Sequence, residues 1–288
     1  MKQLNQFITE YIVKKKLNKV VDSEHIYYPQ TKEELIDNIQ ELFDKGQTDL
    51  NCIDTSNITD MSNLFKYLYA NIENNFDVSN WDVSNVTDMS CMFKHCNKFN
   101  GDLSNWDVSN VINMYSMFNE CIDFEGKGLE KWNVSKVENM TLMFSGCRHF
   151  DCNLSNWDVS KVEGMEYMFV NCNDFIGKGL DNWDVSNVRY MGTMFANCKK
   201  FTGNTIENWN VHNVTDMKYL FQYCEKLNCD LSGWDVSNVK DMSFMFQYCK
   251  KFNCDLSSWN IKNVKYKTNM FKNCKSLKNK PIWYKGYN

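Results

Sequence analysis

A segment of 25 or 26 residues repeats along most of the chain, and this repeat constrains the fold more than any other feature. Each copy opens on a tryptophan, followed by Asp or Asn and then by Val or Ile. The tryptophans are Trp81, Trp106, Trp132, Trp157, Trp183, Trp209, Trp234 and Trp259. Ile53 takes the tryptophan position in a degenerate first copy, and a broken last copy ends near Trp283. Because a unit of this size cannot bury its apolar side chains alone, the repeat predicts a solenoid of about nine stacked turns.

The spacing of apolar residues within one copy predicts a short strand and a short helix. Trp81 and Val83 alternate with polar residues, as in a strand with one buried face. The next apolar residues fall at relative positions 0, 3, 4, 7 and 10, which form one face of a helix: Met89, Met92, Phe93, Cys96 and Phe99. We therefore predict an α/β repeat in which each turn contributes a short parallel strand and a short helix.

The residues before the repeat predict a helical cap. Apolar residues at helical spacing indicate an amphipathic helix over about residues 4–16. Thr31 and Glu34 form a capping box that opens a second helix, which runs to about Phe43 and ends at Gly46. We expect residues 1–50 to be the N-terminal helical cap, residues 51–277 the solenoid, and residues 278–288 a C-terminal cap or tail.

Most cysteines share one position of the repeat, which indicates packing rather than chemistry. This column is Cys96, Cys121, Cys147, Cys172, Cys198, Cys224, Cys249 and Cys274. A shorter column holds Cys152, Cys229 and Cys254, and the last two belong to consecutive copies, so they could lie within disulfide distance. The odd total of 13 cysteines and the lack of a signal peptide favour reduced structural thiols.

The sequence holds no pattern that indicates catalysis. Its four histidines fall at unrelated positions of the repeat, and it has no nucleophile, zinc or phosphate-loop motif. The Asp or Asn after each tryptophan, such as Asp107, is expected to bond backbone amides at a bend. We expect a protein that is not an enzyme and that uses no cofactor and no metal.

Composition and charge restrict the partners and the compartment. The net charge of −4 creates no field that would recruit nucleic acid, and no apolar run is long enough for a membrane span. The start of the chain lacks the apolar core of a secretory signal, and no anchor is visible. We therefore expect a cytoplasmic, virion-associated or host-associated protein rather than one secreted through a signal peptide.

The repeat from Trp81 to Phe99 resembles the BspA-like leucine-rich-repeat family, and in particular its branch with a mycoplasma-lipoprotein-type repeat of unknown function. The resemblance covers about residues 50–277, and the helix from Thr31 to Phe43 resembles the cap of those proteins. It implies a leucine-rich-repeat-like solenoid that binds proteins, in a family rich in surface and host-contact proteins of bacteria, protists and their viruses. The family has no common active site. The chain departs from the surface-protein pattern because it shows no signal peptide, lipobox cysteine or anchor.

Two variable positions, ten and fourteen residues after the tryptophan, supply a candidate binding surface. On the predicted helix they share one face. In two consecutive copies both are aromatic, as Tyr219 with Tyr223 and then Phe244 with Tyr248, and Tyr190 or Tyr266 could flank them. An exposed aromatic patch with a polar rim is typical of an interaction site. The alternative is that these rings only cover the seam between turns.

The C-terminal end is a second candidate because it is strongly basic. Residues 261–288 hold eight lysines and no acid, whereas residues 51–260 carry a net charge of −10. The lysines of interest are Lys262, Lys265, Lys267, Lys272 and Lys275. This end could dock on an acidic surface, including that of another copy, and so produce open filaments.

The sequence therefore favours a protein-interaction solenoid whose protein partner is unknown. A structural or self-assembling protein, for example a virion-associated one, is the first alternative. A glycan-binding surface on the Asp, Ser and Asn positions is the second.

Overall fold

A computed structural model describes residues 25–66 and 75–285 of the chain. Its helices in these ranges are one α-helix, α1 (Lys32–Asp44), and two short 3-10 helices, Leu129–Lys131 and Leu180–Asn182. The remaining described chain consists of stacked turns joined by single parallel β-bridges. The predicted helix over residues 4–16 lies outside the described residues. The predicted solenoid is confirmed.

Helix α1 closes the N-terminal end of the stack. The Thr31 hydroxyl accepts the Glu34 N–H at 3.2 Å, as the capping signal predicted, but the Glu34 carboxylate accepts the N–H of Gln30 rather than that of Thr31. Its apolar stripe is buried in the same core as the repeats: Leu35, Ile39 and Leu42. The Lys32 amine contacts the first turn, where it donates to the Asp60 carboxylate and the Ser62 hydroxyl. The helix thus covers the core beside the first described turn.

Backbone hydrogen bonds between successive turns organise the solenoid. In the turn that begins at Trp81, alternate N–H groups of residues 89–95 donate to carbonyls of the following turn. These bonds run from Met89 to Asn113, Cys91 to Tyr115, Phe93 to Met117 and His95 to Asn119, at 2.7–3.0 Å. We call this stretch, and its equivalent in every turn, the ladder segment. Every described turn repeats the pattern up to the turn that begins at Trp234.

The predicted helix over Met89 to Phe99 is wrong, because the ladder segment sends these N–H groups to a neighbouring turn. The intervening residues close tight turns instead, with the Met92 N–H bonded to the Met89 carbonyl at 3.2 Å. Cys91 (φ 55°) and His95 (φ 65°) have left-handed backbone at the third position of two of these turns, Met89–Met92 and Phe93–Cys96. Successive tight turns bring every third or fourth residue inward, so the buried residues are those that helical spacing predicted.

The predicted strand at Trp81 to Val83 is also wrong. This stretch connects two tight turns, one closed by the Trp81 N–H to Val78 and the other by the Val86 N–H to Val83, and it takes part in none of the bridges among the described residues. The parallel bridges lie seven residues after the tryptophan, from Asp60 with Asp88 to Asp241 with Tyr266. The parallel pairing that the sequence predicted therefore exists, but at the start of the ladder segment.

The turns of 26 residues take up their extra residue at glycines. Gly128 has φ 94° and precedes the 3-10 helix Leu129–Lys131, and a Cβ there would lie 2.2 Å from the Ser104 nitrogen. Only glycine can adopt this backbone at so close an approach.

Columns of identical side chains fill the core. The tryptophans from Trp106 to Trp209 stack on one another, for example Trp157 on Trp183 with ring centroids 6.3 Å apart. Each indole N–H also donates to a carbonyl of the preceding turn, for example Trp157 to Leu129 at 2.8 Å. A phenylalanine column runs beside it, with Phe169 5.7 Å from Phe195. The carboxylate of Asp107 accepts the Ser109 N–H at 3.0 Å, which confirms that this position forms a bend.

Trp157→Phe should destabilise the protein by about 2–4 kcal/mol, because it removes volume from a packed column and leaves the Leu129 carbonyl without its side-chain donor. Urea unfolding measured by circular dichroism tests this. Trp283→Phe is the matched control, since Trp283 makes the same type of bond to Leu256 but is only half-buried at the end of the stack. An equal decrease in the free energy of unfolding for the two variants would show that the buried tryptophan column does not stabilise the protein as described.

Candidate functional site

The two variable positions that sequence analysis singled out share an unusual backbone. Within residues 25–66 and 75–285, the sixteen non-glycine residues with positive φ all lie ten or fourteen residues after a tryptophan or its equivalent, with φ between 52° and 65°. They are Asn63, Cys91, His95, Ser116, Glu120, Leu142, Tyr167, Asn171, Thr193, Asn197, Tyr219, Tyr223, Phe244, Tyr248, Asn269 and Asn273. We call these two rows the left-handed columns. The sequence carried a signal for them, since Asn and Gly recur at Gly146, Asn171, Asn197 and Asn273.

The structure brings the four predicted aromatic residues together as two stacks. The rings of Tyr219 and Phe244 lie 4.8 Å apart at an interplanar angle of 12°. Those of Tyr223 and Tyr248 lie 4.6 Å apart at 9°. The physical reason differs from the prediction, because these residues lie on the left-handed columns of adjacent turns and not on one face of a helix. We call these four residues the aromatic patch.

Polar groups surround the aromatic patch. The Gln222 amide donates to the Gln247 side chain and so joins the two turns. The Lys218 amine lies 5.1 Å from the centroid of the Tyr219 ring, a cation–π contact. Tyr190 and Tyr266, the proposed flanking rings, are 48% and 60% exposed, but they lie on the bridge column, separated by Asp216 and Asp241.

Acidic groups also line the bridge column beside the patch. Burial raises the pKa of Asp216, and the neighbouring carboxylate of Asp241 raises it further. The rim of the patch therefore carries both signs of charge.

Backbone energetics do not favour aromatic residues at these positions. A left-handed conformation costs an L-residue about 1–2 kcal/mol, and asparagine and glycine tolerate it best. Ring stacking returns about 0.5–1.5 kcal/mol per pair, so each stack offsets part of this cost. Tyr223 nevertheless remains 41% exposed. Stacking between adjacent turns thus explains why the rings are tolerated at the left-handed columns. It does not explain why two adjacent turns have aromatic residues at positions where several other turns have Asn or Gly.

The predicted basic residues lie at the C-terminal end of the stack. Four of these lysines are exposed: Lys262, Lys265, Lys272 and Lys275. Lys267 is half-buried, at the position where every earlier described turn has a buried methionine. None of these five forms a salt bridge with any residue in the described ranges. The two candidate surfaces adjoin, because the Tyr248 N–H of the aromatic patch donates to the Lys272 carbonyl at 2.9 Å.

The cysteine column is part of the core. Each thiol from Cys121 to Cys274 donates to the carbonyl of a phenylalanine in the preceding turn, as Cys172 does to Phe144 at 3.0 Å. Burial raises the pKa of Cys172 well above its ordinary value. A thiol that stays protonated is a poor nucleophile and a poor metal ligand.

The second cysteine column lines an open groove of about 680 Å³ between the return loops. Cys229 is buried beneath Gly203, and the Cys254 sulfur accepts the Leu231 N–H at 3.3 Å. Burial raises the pKa of Cys254 to about 11. All thirteen cysteines are free thiols, and Cys229 and Cys254 are not joined.

The remaining candidate groups are not gathered into a site. His149 and His212 each contact one aspartate, Asp174 at 2.9 Å and Asp235 at 2.7 Å, on the exposed surface. Across residues 25–66 and 75–285, no group of three or more His, Cys, Asp or Glu side chains could hold a metal ion. In the same ranges no helix has the length and apolar character needed to cross a bilayer.

The repeats match one protein family along nearly the whole chain. The family described as "Mycoplasma protein of unknown function, DUF285" matches residues 36–128, 104–189 and 164–283. The chain belongs to the DUF285 family. The overlapping matches show that the family unit is a run of several such turns, which agrees with a stack in which each turn depends on its neighbours.

Other comparisons add little to the DUF285 assignment. No curated protein matches the chain. A solved structure titled "Crystal structure of TLR13-ssRNA13 complex" aligns with 86% of this chain and 48% of its own, at 10% sequence identity and a TM-score of 0.25. The DUF285 chain thus spans about half the length of that protein, and a TM-score this low supports no conclusion about fold or ligand.

The buried thiols should resist alkylation in the native protein. At about pH 8, iodoacetamide should label half-buried Cys91 and Cys52 first and leave Cys121, Cys147 and Cys172 unmodified, because burial raises the pKa of these three thiols and lowers their thiolate fraction. Peptide mapping by mass spectrometry measures this. Unfolding in guanidinium is the control and should expose all thirteen thiols. Rapid native labelling of Cys172 would contradict the packing described.

Proposed function

We propose that this DUF285 chain is a non-catalytic protein-interaction module that binds a protein partner through the aromatic patch. The observation that supports it is the pair of stacked rings at left-handed positions, with Tyr223 41% exposed. Aromatic side chains offer large contact areas at low conformational cost and dominate many protein interfaces. The residue pattern that resembles BspA-like proteins is consistent with a surface or host-contact role of this kind.

The architecture of the stack supports this assignment. Its Trp, Val, Met, Phe and Cys columns are buried, and its Asp and Asn columns bond backbone amides at bends. The residues that differ between turns lie on the outer surface, chiefly on the left-handed columns. A solenoid that presents variable side chains on an invariant frame is suited to recognising an extended protein surface.

We further propose that the protein is not an enzyme and needs no cofactor. The most reactive side chains by type are the cysteines, and the pKa of each column thiol is raised by burial. The two histidine–aspartate contacts are exposed and lie in different turns. Such contacts are typical of the solvated surface of a repeat protein.

Tyr223→Asn with Tyr248→Asn should abolish partner binding and leave stability within about 1 kcal/mol, because asparagine suits the left-handed backbone as Asn171 and Asn197 do in other turns. Affinity capture from extract of the source cells, compared between variants by quantitative mass spectrometry, measures the binding. Thermal unfolding measures stability.

Tyr167→Asn is the matched control, since Tyr167 also lies on a left-handed column and is 45% exposed, but two turns away from the patch. Proteins captured by the wild type and by the control, but lost from the double variant, would support the proposal. If the double variant captures the same proteins while the chain stays folded, the aromatic patch is not the binding surface.

A further inference from the structure

An open cleft of about 380 Å³ spans four consecutive turns in the middle of the DUF285 stack. Its walls come from the positions fourteen and sixteen residues after the tryptophan, on either side of the buried cysteine column. We call it the polar cleft, and its residues are Glu120, Gly146, Arg148, Asn171, Asn173, Asn197 and Lys199. Charged groups, amides and one glycine line it, so it offers a ligand charges and hydrogen bonds rather than an apolar surface.

Gly146 makes room for the cleft. It lies on a left-handed column with φ 82°, where the neighbouring turns carry Glu120 and Asn171. A Cβ at Gly146 would lie 2.6 Å from the Glu120 carboxyl carbon, so the Glu120 side chain occupies the space above the glycine. The missing side chain therefore allows the Glu120 carboxylate to lie in the cleft.

The charged groups of the polar cleft are not paired. Glu120, Arg148 and Lys199 take part in none of the salt bridges within residues 25–66 and 75–285. Elsewhere the position sixteen residues after the tryptophan pairs between adjacent turns, as Lys250 does with Glu225 at 2.8 Å. In the cleft the uncharged Asn173 separates Arg148 from Lys199 at this position, so two cations remain available to one anion.

Asn173 supplies a hydrogen-bond acceptor that the described part of the chain does not use. Its side-chain oxygen is buried and accepts no hydrogen bond from residues 25–66 or 75–285. The side-chain oxygen of Asn171, by contrast, accepts the Asn197 amide at 2.8 Å. Because a buried acceptor without a donor is energetically costly, the Asn173 oxygen favours a ligand that brings a donor such as a hydroxyl group.

The backbone on the left-handed column of the cleft is already engaged. The N–H groups of Glu120, Gly146, Asn171 and Asn197 each donate to a carbonyl of the following turn, as Asn171 does to Ala196 at 2.9 Å. An extended peptide cannot add there as a strand adds to a sheet edge. Recognition falls to side chains, and the hydroxyls of a sugar, which both donate and accept, suit a lining of amides and opposite charges.

We propose that the polar cleft binds an acidic saccharide, that is, a sugar ring that carries a carboxylate, as a uronic acid does. The sugar carboxylate pairs with Arg148 and Lys199, and its hydroxyls donate to the Asn173 side-chain oxygen and the Glu120 carboxylate. The volume of the cleft lies within the range of about 300–1,000 Å³ that is typical of small-molecule sites. This surface differs from the Asp, Ser and Asn positions at which the sequence indicated a glycan site.

The full chain, labelled with nitrogen-15, can be titrated with D-glucuronate and followed by amide NMR. The side-chain amide signals of Asn171, Asn173 and Asn197 should shift and saturate. D-Glucose supplies only the hydroxyls and acetate only the carboxylate, so each should bind at least about tenfold more weakly than glucuronate.

The two cations can be tested with a charge-matched pair of variants. Arg148→Gln with Lys199→Gln should weaken glucuronate binding by about tenfold or more. The matched control, Lys131→Gln with Lys161→Gln, removes the same charge from exposed positions outside the cleft and should bind as the wild type does.

Gly146→Asn tests the shape of the cleft without removing a charge. Asparagine suits left-handed backbone, as Asn171 and Asn197 show in the same column, so the thermal unfolding midpoint should stay close to that of the wild type. The new side chain fills the space of the Glu120 carboxylate and should weaken glucuronate binding as much as the loss of both cations does. Unchanged binding in this folded variant would overturn the proposal.

The polar cleft adjoins the aromatic patch, because the Asn197 N–H donates to the Gln222 carbonyl at 2.6 Å and Tyr223 follows Asn197 on the same left-handed column. None of the four rings lines the cleft, however. Tyr223→Asn with Tyr248→Asn should therefore bind glucuronate as the wild type does, whatever that variant does to the capture of a protein partner. Loss of glucuronate binding in it would move the site to the aromatic patch and overturn the proposal.

Three further outcomes would overturn it. Equal binding of acetate would show an anion site only, and equal binding of glucose would show that the cations do not select the ligand. Tighter binding of a peptide that alternates Glu with Ser, with displacement of glucuronate from the same amides, would assign the polar cleft to an acidic segment of a protein.

Discussion

The rest of the structure depends on the backbone hydrogen bonds between successive ladder segments. Each turn donates N–H groups to the turn that follows, so no turn completes its own hydrogen bonds. Side chains bond in the opposite direction, since the Trp157 indole and the Cys172 thiol donate to carbonyls of the turn before. Together these bonds fix both the spacing and the register of the stack. The aromatic columns can stack face to face because this register repeats without a shift.

This constraint separates structural from variable residues. Inward positions must match the same position in the next turn, and they are nearly invariant from turn to turn. The left-handed columns are free of that requirement, because their backbone belongs to the ladder while their side chains lie outside the core. The aromatic patch arises where two adjacent turns both carry aromatic residues on the left-handed columns. The basic end adjoins this patch, so the DUF285 chain carries aromatic and basic side chains on neighbouring turns.

The same constraint makes the ends of the stack unequal. The bonds of the ladder segments run from each turn to the next, whereas the residue before each bridge donates back to the preceding turn, as Lys240 does to Thr215 at 2.9 Å. Helix α1 lies over the first turn with Leu35, Ile39 and Leu42 buried, so that end is covered. At the other end only Trp283 and Tyr284 extend over the core, and Ile261 and Val264 are already less buried than their counterparts.

The sequence by itself determined the solenoid, the nine copies of its turn, helix α1 and nearly the whole buried set. Periodicity reveals which side chains point inward, whatever backbone carries them. Only the tertiary structure decided the backbone: a series of tight turns with left-handed residues buries the same positions as a helix from Met89 to Phe99. Helical spacing could not distinguish the two, because the deciding hydrogen bonds go to a turn about 25 residues away. For the same reason the sequence identified the aromatic residues and the lysines, whereas the left-handed backbone that carries the aromatic patch became visible only in the structure.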